Sequence, residues 1–400
     1  MLREKLTKSV LGRKESLFQA DFFSVREDVT SNLKSSKVMI IGAAGSIGNA
    51  FTKLIAEYPL SSLHLVDLSE NNLVETVREL RSRSGALTAE LRTFAIGMGS
   101  AEFRYYLERE GPFDFILNFA AMKHVRSERD PYSLMRLLEV NVVANDDLLS
   151  SLQNASPKKV FAVSSDKAVK SANLMGGSKA FMERVFLSRL EDFHFNSARF
   201  ANVAFSDGSL LDGFLKRLDR RQPFSAPTDI RRFFIDEREA AQLCLLSLTT
   251  GKSGEIYYPN LHPDKDLKSF SDIACLILDE MGLKPVHCES EEEARTWFGR
   301  FPNQTKEWPC YFTASNTSGE KPYEEFVNDG EITDTDRFST LGVVTQPATT
   351  PPDVIQKVLA EIRRLYGSGN WSKSDLVNLV QEAVPEMKHI ETHQNLDQKM

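Results

Sequence analysis

The sequence predicts an α/β protein built on a doubly wound parallel sheet. Three observations predict it: short apolar runs alternate with helical segments, a glycine-rich turn follows the first apolar run, and an acidic residue ends the second. The segments between the apolar runs are too long for tight hairpins. The strands are therefore expected to pair in parallel, with a helix in each crossover.

The first apolar run, KVMII at residues 37–41, is typical of a strand that is buried on both faces. Behind the glycine turn, apolar side chains recur at helical spacing, and the same alternation continues along the chain. Strands are predicted at residues 37–41, 63–66, 91–96, 113–119, 159–164 and 195–203. Helices are predicted between them at residues 46–57, 70–83, 101–109, 131–153 and 174–191.

Residues 37–205 are thus expected to form one nucleotide-binding domain of the Rossmann type, flanked by smaller units. Residues 1–36 show no strand-like run and are expected to form an arm of short helices on the body or on a neighbour, which suggests a homo-oligomer. Residues 206–345 are expected to form mainly a smaller, mixed substrate-binding lobe, with some segments returning to the core. Residues 346–400 are expected to form a helical C-terminal extension that ends in a polar tail.

The composition is that of an ordinary globular protein and excludes several classes. The chain carries 49 Lys and Arg against 56 Asp and Glu, a formal charge of −7, whereas a dedicated nucleic-acid binder needs an excess of cations. No apolar stretch approaches the roughly 20 residues of a membrane-spanning helix, and the polar start lacks a secretory apolar segment. We expect a cytoplasmic protein without membrane insertion and without a nucleic-acid partner.

No metal site is expected. The four cysteines show no Cys-x-x-Cys spacing. Near the end of the chain His389, Glu391 and His393 form H-I-E-T-H, but a zinc protease motif needs the glutamate directly after the first histidine. The cysteines are expected to be reduced, and this histidine-containing segment is expected to belong to the polar tail.

The glycine turn has the form G-x-x-G-x-x-G between a predicted strand and a predicted helix. Glycine lets the backbone approach a pyrophosphate, whose charge is met by the amides and dipole of the helix N-terminus. Asp67 follows 19 residues after Gly48, where a carboxylate can accept hydrogen bonds from ribose hydroxyls. It would repel a 2′-phosphate, so NAD is favoured over NADP. The expected cofactor contacts here are Gly42, Gly45, Ser46, Ile47, Gly48 and Asp67.

An acid and a base stand side by side at the end of the fifth predicted strand. Asp166 and Lys167 follow that strand directly, and the carboxyl ends of parallel strands border the ligand crevice. Met175 and Lys179 lie four residues apart on the next helix, so both are expected to face the same crevice. The spacing is that of the Tyr-x-x-x-Lys pair of short-chain dehydrogenases, with methionine in place of the tyrosine.

Six motifs together carry a family resemblance: GAAGSIG, LNFAAMKHV, SSDKAV, NLMGGSK, RFANV and SGEKPYEEF. The chain resembles the UDP-N-acetylglucosamine 4,6-dehydratases of the capsular-polysaccharide type, which belong to the extended short-chain dehydrogenases and reductases. The methionine resembles a branch of that family. The resemblance implies NAD as cofactor, a UDP-sugar as substrate and dehydration of that sugar for polysaccharide biosynthesis.

The resemblance also implies roles for the reacting residues. Asp166 would be the acid for the leaving hydroxyl at carbon 6, and Lys167 the base at carbon 5. Lys179 would bind the nicotinamide ribose and hold positive charge near the developing alkoxide. Met175 cannot accept a proton, so the 4-hydroxyl must lose its proton to Asp166, Ser165 or a bound water.

Further contacts are carried over by resemblance. Arg232 is the first candidate for the UDP diphosphate and Arg199 the second, although many relatives have an arginine where this chain has Thr317. The cofactor pocket would include Ala120 and Ala121. The substrate pocket would include Lys123, His124, Asn141, Asn173, Asn202, Arg199, Arg232 and Glu320.

Two other functions remain open from the sequence. A UDP-sugar 4-epimerase or reductase would share the glycine loop but would not need an acid and a base for carbons 5 and 6. A non-catalytic NAD-binding protein would need neither, and the presence of Asp166, Lys167 and Lys179 argues against it.

Overall fold

A large twisted sheet with helices on both faces organises the molecule. The computed structural model describes residues 2–83, 89–152, 155, 157–303, 306–315 and 319–390. The strands are β1 (Lys37–Ile41), β2 (Ser62–Val66), β3 (Glu90–Phe94), β4 (Phe115–Asn118), β5 (Lys159–Ser165), β6 (Phe195–Phe200), β7 (Asn202–Val203), β8 (Phe224–Pro227), β9 (Arg231–Arg232), β10 (Phe234–Ile235), β11 (Ile256–Pro259), β12 (Lys268–Ser269), β13 (Lys284–His287), β14 (Glu307–Thr313), β15 (Ile332–Asp334) and β16 (Leu341–Gln346).

The α-helices lie between these strands and at both ends of the described chain. They are α1 (Leu2–Leu11), α2 (Gln19–Ser24), α3 (Arg26–Leu33), α4 (Ser46–Ile55), α5 (Glu70–Ser82), α6 (Ala101–Glu110), α7 (Pro131–Leu138), α8 (Ala144–Ser151), α9 (Leu174–Leu187), α10 (Leu210–Asp219), α11 (Glu237–Thr250), α12 (Pro263–Asp266), α13 (Phe270–Glu280), α14 (Glu291–Arg300), α15 (Pro352–Ser368) and α16 (Lys373–Ala383).

The strand order of the main sheet is β15-β16-β11-β6-β5-β4-β1-β2-β3. The strands from β3 to β11 run parallel, and β16 and β15 add two antiparallel strands at one edge. The chain order reverses between β1 and β4, which opens a crevice beyond the carboxyl ends of the strands. This is a Rossmann-like α/β fold, and it confirms the predicted doubly wound parallel sheet.

The side chains of β1 alternate between two hydrophobic cores. Met39 and Ile41 belong to the core under α7, α8 and α9. Val38 and Ile40 belong to the opposite core, under α3, α4 and α11. A strand between two helical layers needs apolar side chains on both faces, which explains the uninterrupted run in the sequence.

The predicted strands and helices of residues 37–205 are present with boundaries shifted by a few residues. The helix predicted at 131–153 is divided by a wider π-type turn at Glu139–Val143, between α7 and α8. The strand predicted at 195–203 ends at Phe200, and β7 leaves the main sheet to pair with β10. Both departures lie beside the crevice, where irregular backbone often serves a site.

Residues 206–345 divide between a small lobe and the main sheet. In the lobe, β13, β14 and β8 form a parallel three-stranded sheet whose core includes Phe214, Phe224 and Trp308. The lobe core also takes up Leu6 and Val10 of α1. From the same range, α11 covers the main sheet, while β11, β15 and β16 extend it.

A buried carboxylate is among the groups that attach the N-terminal helices to the main sheet. Asp21 accepts hydrogen bonds from the backbone N–H groups and the hydroxyls of Ser339 and Thr340, directly before β16. Burial alone would raise the pKa of Asp21, but these hydrogen bonds outweigh it and hold the pKa below its ordinary value. The arm therefore lies on the body of its own chain.

The C-terminal extension covers α9. The helices α15 and α16 pack against it, and every residue from Leu174 to Leu187 is buried. The polar tail expected after residue 383 is wrong for residues 384–390, because Val384 and Met387 are buried in the same core. Glu391 and His393 lie outside the described residues.

Acid stability should depend on His64 of β2, which is 1% exposed and lies 2.8 Å from the Tyr106 hydroxyl through Nδ1. Burial, followed by the charges of Lys37 and Arg92, lowers the pKa of His64 from 6.5 to about 4. The unfolded chain therefore binds the extra proton first, and the free energy of unfolding falls as the pH drops from 6.5 towards 4. The slope from this group reaches about 1.4 kcal/mol per pH unit.

Urea unfolding of His64→Phe between pH 7 and pH 4 should show a flatter pH dependence than the parent protein. His287→Phe removes an exposed histidine and should keep the parent slope. Equal slopes in all three proteins would contradict this account of His64.

Candidate active site

The glycine turn after β1 is shaped by close backbone contacts. Gly42 has φ +73°, and a Cβ at this position would lie 2.5 Å from the backbone nitrogen of Ala120. A Cβ on Gly48 would lie 1.9 Å from the carbonyl oxygen of Gly42. The two glycines therefore let α4 begin directly against the turn, as a dinucleotide-binding loop requires.

The N-terminus of α4 opens toward the crevice without a side-chain cap. Its N-cap is Gly45, and Ser46 accepts a hydrogen bond from the backbone N–H of Asp207 at 3.2 Å. Ile47 is half-buried against a core that includes residues of β7, β10 and β11. The first N–H groups of α4 and its positive dipole end can therefore face an anion.

Asp67, directly after β2, lies beside this turn. Its Oδ2 accepts from the backbone N–H of Ala44 at 3.0 Å, and its Oδ1 accepts from that of Ser69 at 2.9 Å. These contacts hold the carboxylate at the edge of the glycine loop. This is the position in which an acidic residue can meet the ribose of a dinucleotide.

The loop after β4 is held in place by Asn141. Its side chain accepts from the N–H of Met122 at 2.8 Å and donates to the carbonyl of Met122 at 2.9 Å. It also donates to the Ser178 hydroxyl of α9 at 2.9 Å. Asn141 lies in the π-type turn and supports Ala120 and Ala121, which are half-buried at the crevice.

Two further asparagines, which no sequence motif indicated, extend this support. Asn118 ends β4 and donates to Asn145 at 2.7 Å, and Asn145 donates to the carbonyl of Asn141 at 2.9 Å. All three asparagines are buried. Their spacing of four residues between 141 and 145 could have indicated a shared helix face, but nothing in the sequence joins them to Asn118.

The predicted acid and base lie together at the end of β5. Asp166 is fully buried, and its Oδ1 accepts from the Ser165 hydroxyl at 2.9 Å and from Nζ of Lys167 at 3.0 Å. Lys167 also donates to Oδ1 of Asn202 at 3.2 Å. The other carboxylate oxygen, Oδ2 of Asp166, has no hydrogen-bond partner among the described residues. One acidic oxygen is thus held in place, while the other is buried and without a partner among the described residues, an unsatisfied polar group of the kind that a bound ligand or water would satisfy.

Lys179 is buried beneath the same strand end. It donates to the carbonyl of Val163 at 2.9 Å and is 5% exposed. Burial lowers the pKa of Lys179 to about 8, and the nearby Glu183 opposes this shift. Met175 is 4% exposed and belongs to the hydrophobic core around α9. The helix face predicted from their spacing therefore carries one buried amine and one apolar side chain.

Lys123 and His124 lie on the rim of the crevice and are exposed. Nζ of Lys123 donates to the carbonyl of Asp207 at 2.7 Å. The imidazole of His124 packs against Gly208, where a Cβ would lie 2.9 Å from Cε1. The loop at Asp207 and Gly208 thus links the rim to Ser46 of the glycine loop.

The prediction that Arg199 binds the diphosphate is wrong. Arg199 is 1% exposed, and its five N–H donors bind Glu183, Glu331 and the carbonyl of Phe326. A phosphate would find no free donor on this guanidinium. The sequence could not reveal this network, because Glu331 is far away in the chain.

Arg232 and Glu320 are both predicted to lie in the substrate pocket, and the structure places them close together with opposite charges that compensate each other. Arg232 donates through Nη1 to the carbonyls of Arg231 and Lys321, and its Nη2 lies 3.7 Å from Glu320 and 3.6 Å from Glu324. Thr317 lies outside the described residues.

Asn173 is committed to local structure. Its Oδ1 accepts from the N–H of Gly176 at 2.8 Å as the N-cap of α9, and its Nδ2 donates to the carbonyl of Gly319 at 2.9 Å. It therefore starts the helix that carries Met175 and Lys179. A direct substrate contact from Asn173 stays a prediction.

The two glycines of the turn should differ in their tolerance of alanine. Gly48→Ala should lower the free energy of unfolding by about 1–3 kcal/mol, because its Cβ overlaps a backbone carbonyl. Gly45→Ala should be nearly neutral, because φ is −73° and the nearest atom lies 3.6 Å from the added Cβ. Thermal unfolding of the two variants checks this, and equal losses would contradict the described turn.

Sequence comparison identifies relatives of similar identity, among them the following three. The "Uncharacterized membrane protein MJ1061" of Methanocaldococcus jannaschii is 26% identical over 80% of this chain and 88% of its own length. The capsular polysaccharide biosynthesis protein CapD of Staphylococcus aureus is 25% identical over 76% of this chain and 47% of its own. A UDP-N-acetylglucosamine 4,6-dehydratase (inverting) of Campylobacter jejuni is 25% identical over 56% of this chain and 66% of its own. The chain thus spans about half the length of CapD.

Among its described helices, none has the length and apolar character needed to cross a membrane.

Comparison with solved structures supports the fold. Pen from Bacillus thuringiensis superposes with a TM-score of 0.65 at 18% identity, over 83% of this chain and 98% of that one. DesIV, a dTDP-glucose 4,6-dehydratase from Streptomyces venezuelae solved with NAD and TYD bound, gives 0.55 at 18% identity, over 72% of this chain and 87% of that one. At these identities the likeness concerns the fold alone.

The family comparison covers most of the chain. The model described as "Polysaccharide biosynthesis protein" matches residues 38–346. This range includes the glycine turn, the Asp166–Lys167 pair, α9 and the small lobe. The chain therefore belongs to the polysaccharide biosynthesis protein family.

Proposed function

We propose that the chain is an NAD-dependent UDP-N-acetylglucosamine 4,6-dehydratase, which removes water from its substrate to form the 4-keto-6-deoxy sugar. The observation that carries this proposal is the Asp166–Lys167 pair at the end of β5, where a buried carboxylate keeps one oxygen without a partner among the described residues. An epimerase needs no acid and base for carbons 5 and 6. The name of the Campylobacter jejuni relative supports the same substrate class.

The glycine turn and its surroundings fit a dinucleotide. A Cβ at Gly42 or Gly48 would occupy the space that the turn leaves open. The helix α4 starts without a side-chain cap, and Asp67 lies at the edge of the loop. When bound, NAD supplies the reversible oxidation of sugar carbon 4 that makes the hydrogen on carbon 5 acidic. NAD in the solved dehydratase DesIV supports this assignment, and the carboxylate of Asp67 favours NAD over NADP.

Asp166 can serve the two oxygens of the sugar that exchange a proton. Its Oδ2 accepts the proton of the 4-hydroxyl as carbon 4 is oxidised, and later delivers that proton to the hydroxyl that leaves carbon 6 as water. Met175 cannot take part in proton transfer, so this assignment fills the gap left by the missing tyrosine. The Ser165 hydroxyl and Lys167 keep Oδ1 occupied, which orients Oδ2.

Lys167 is the base for carbon 5. Its Nζ lies between Oδ1 of Asp166 and Oδ1 of Asn202, which limits the directions in which it can reach a substrate. The proton taken from carbon 5 returns to the same carbon as the reduction of carbon 6 completes the cycle. Water is the only species lost.

Lys179 would supply positive charge near the oxygen on carbon 4. Its position under the end of β5, bound to the carbonyl of Val163, supports this role. Arg232 remains the candidate for binding the diphosphate. To bind a phosphate group, its guanidinium would have to give up its ion pairs with Glu320 and Glu324. Lys123, His124, Asn173 and Asn202 are retained as substrate-pocket candidates. A homo-oligomer, a cytoplasmic location and the stated domain roles stay predictions.

Incubation with UDP-N-acetylglucosamine and NAD in deuterated water, followed by NMR, tests the reaction. We expect loss of the carbon 5 proton signal and appearance of a new methyl signal. Formation of UDP-N-acetylgalactosamine without a methyl signal would indicate epimerisation and would overturn the proposal.

Lys167→Ala should reduce turnover by roughly 100- to 10,000-fold and leave NAD binding intact, because it removes the base and one partner of Asp166 but no group of the glycine turn. Lys170→Ala is the matched control: Lys170 lies in the same segment but pairs with Glu325 at 3.1 Å and Asp329 at 3.0 Å, on the surface. Turnover is measured by product formation and NAD binding by calorimetry. Near-normal turnover by Lys167→Ala would show that the base lies elsewhere.

A further inference from the structure

The end of the described chain is fitted against the N-terminal half of α9. We call residues 384–390 the C-terminal strap. Two backbone N–H groups of the strap, those of Lys388 and Ile390, donate to the carbonyls of Ser171 and Ala172 at 2.9 and 3.0 Å. A Cβ on Gly177 of α9 would lie 2.3 Å from Sδ of the strap's Met387. The strap and α9 therefore approach each other at a point where α9 has no side chain.

One buried carboxylate joins this strap to the active site. Glu128 is 7% exposed and ends the 3-10 turn Val125–Glu128, directly after Lys123 and His124. Its Oε1 accepts from the backbone N–H of Met175 at 2.9 Å. Its Oε2 lies 3.7 Å from Nε2 of His389 in the strap. Glu128, which follows the crevice rim, thus lies next to both the first turn of α9 and the C-terminal strap.

The burial of Glu128 restricts the positions that its neighbours can take. A buried carboxylate is costly without partners, so Glu128 favours the geometry in which Oε1 keeps the N–H of Met175 and in which the imidazole of His389, when protonated, adds an ion pair to Oε2. One of these contacts is the positive N-terminal end of a helix, where a negative charge is stabilising. Because α9 is rigid, a shift or rotation of its first turn also moves Lys179, one turn further along.

We propose that Glu128 is a positioning residue, through which the C-terminal strap holds the first turns of α9 in register with the Asp166–Lys167 pair. This inference rests on the proposed function, because the register matters only if Met175 and Lys179 line the reaction site. Glu128 itself need not touch the substrate. The strap, expected from the sequence to be a polar tail, then contributes to turnover through His389.

The test compares Glu128→Ala, Glu128→Gln, His389→Ala and Lys388→Ala in the full chain. Glu128→Ala should lower kcat by roughly 10- to 100-fold with little change in KM or NAD affinity, because misplacement affects the reacting geometry and not binding. Glu128→Gln should recover much of that loss, since an amide oxygen can still accept from the N–H of Met175. His389→Ala should lie between the two, and Lys388→Ala should match the parent, because its exposed side chain is removed while its backbone N–H bond remains.

Two readouts separate positioning from a general loss of stability. With substrate deuterated at carbon 4, the isotope effect on kcat should rise in Glu128→Ala and His389→Ala, because transfer from carbon 4 becomes more nearly rate-limiting. Hydrogen exchange of the peptide covering residues 174–179 should become faster in the same variants, while the core strands β1 and β4 keep their protection.

The outcomes distinguish this inference from the proposed function. If the parent protein gives no dehydration, the proposed function fails, and the exchange measurement alone decides whether the strap is coupled to α9. If the parent turns over and Glu128→Ala and His389→Ala equal it, the inference is overturned while the function stands. Faster hydrogen exchange throughout the protein, with an unchanged isotope effect, would assign Glu128 a purely structural role. That result would also overturn the inference that Glu128 positions α9.

Discussion

Complete burial of α9 is the constraint on which the site depends. A helix on the face of a sheet ordinarily keeps one side in water, but here α15 and α16 cover that side. Lys179, Glu183 and Arg184 therefore lose their hydration and need partners within the protein. The positions of the partners of these three side chains fix where α9 lies relative to the sheet.

These partners come from separate parts of the chain. Glu183 accepts from the Ser164 hydroxyl and pairs with Arg199, which ties α9 to β5 and β6. Arg184 donates to Thr350 and to Glu386, which ties the same helix to the C-terminal extension. Since each broken pair would leave a buried charge, the ends of β5 and β6 and the C-terminal extension behave as one unit around α9. Lys179, on the same helix, is thus held from both sides.

Prediction from the sequence succeeded where the signal was local. The run at 37–41 and its alternating neighbours indicated the strands because a sheet covered on both faces requires apolar residues at every position. The sequence also placed Asp166 and Lys167 directly after a strand, and β5 ends at Ser165. Prediction failed for Arg199, whose surroundings in the sequence resemble those of a ligand-binding arginine. The residue that neutralises it, Glu331, reaches it only because β15 and β16 add to the edge of the main sheet.

The sequence by itself determined the order of strands and helices along the chain, the glycine turn and the place of Asp166 and Lys167 after a strand, because periodicity and spacing act over a few residues. Only the tertiary structure decided which charged groups remain available to a ligand. It buried Arg199 among carboxylates, left one oxygen of Asp166 without a partner in the described chain, and brought His389 to Glu128. The physical reason is that burial and charge pairing depend on residues that are distant along the chain and become neighbours only when the layers pack.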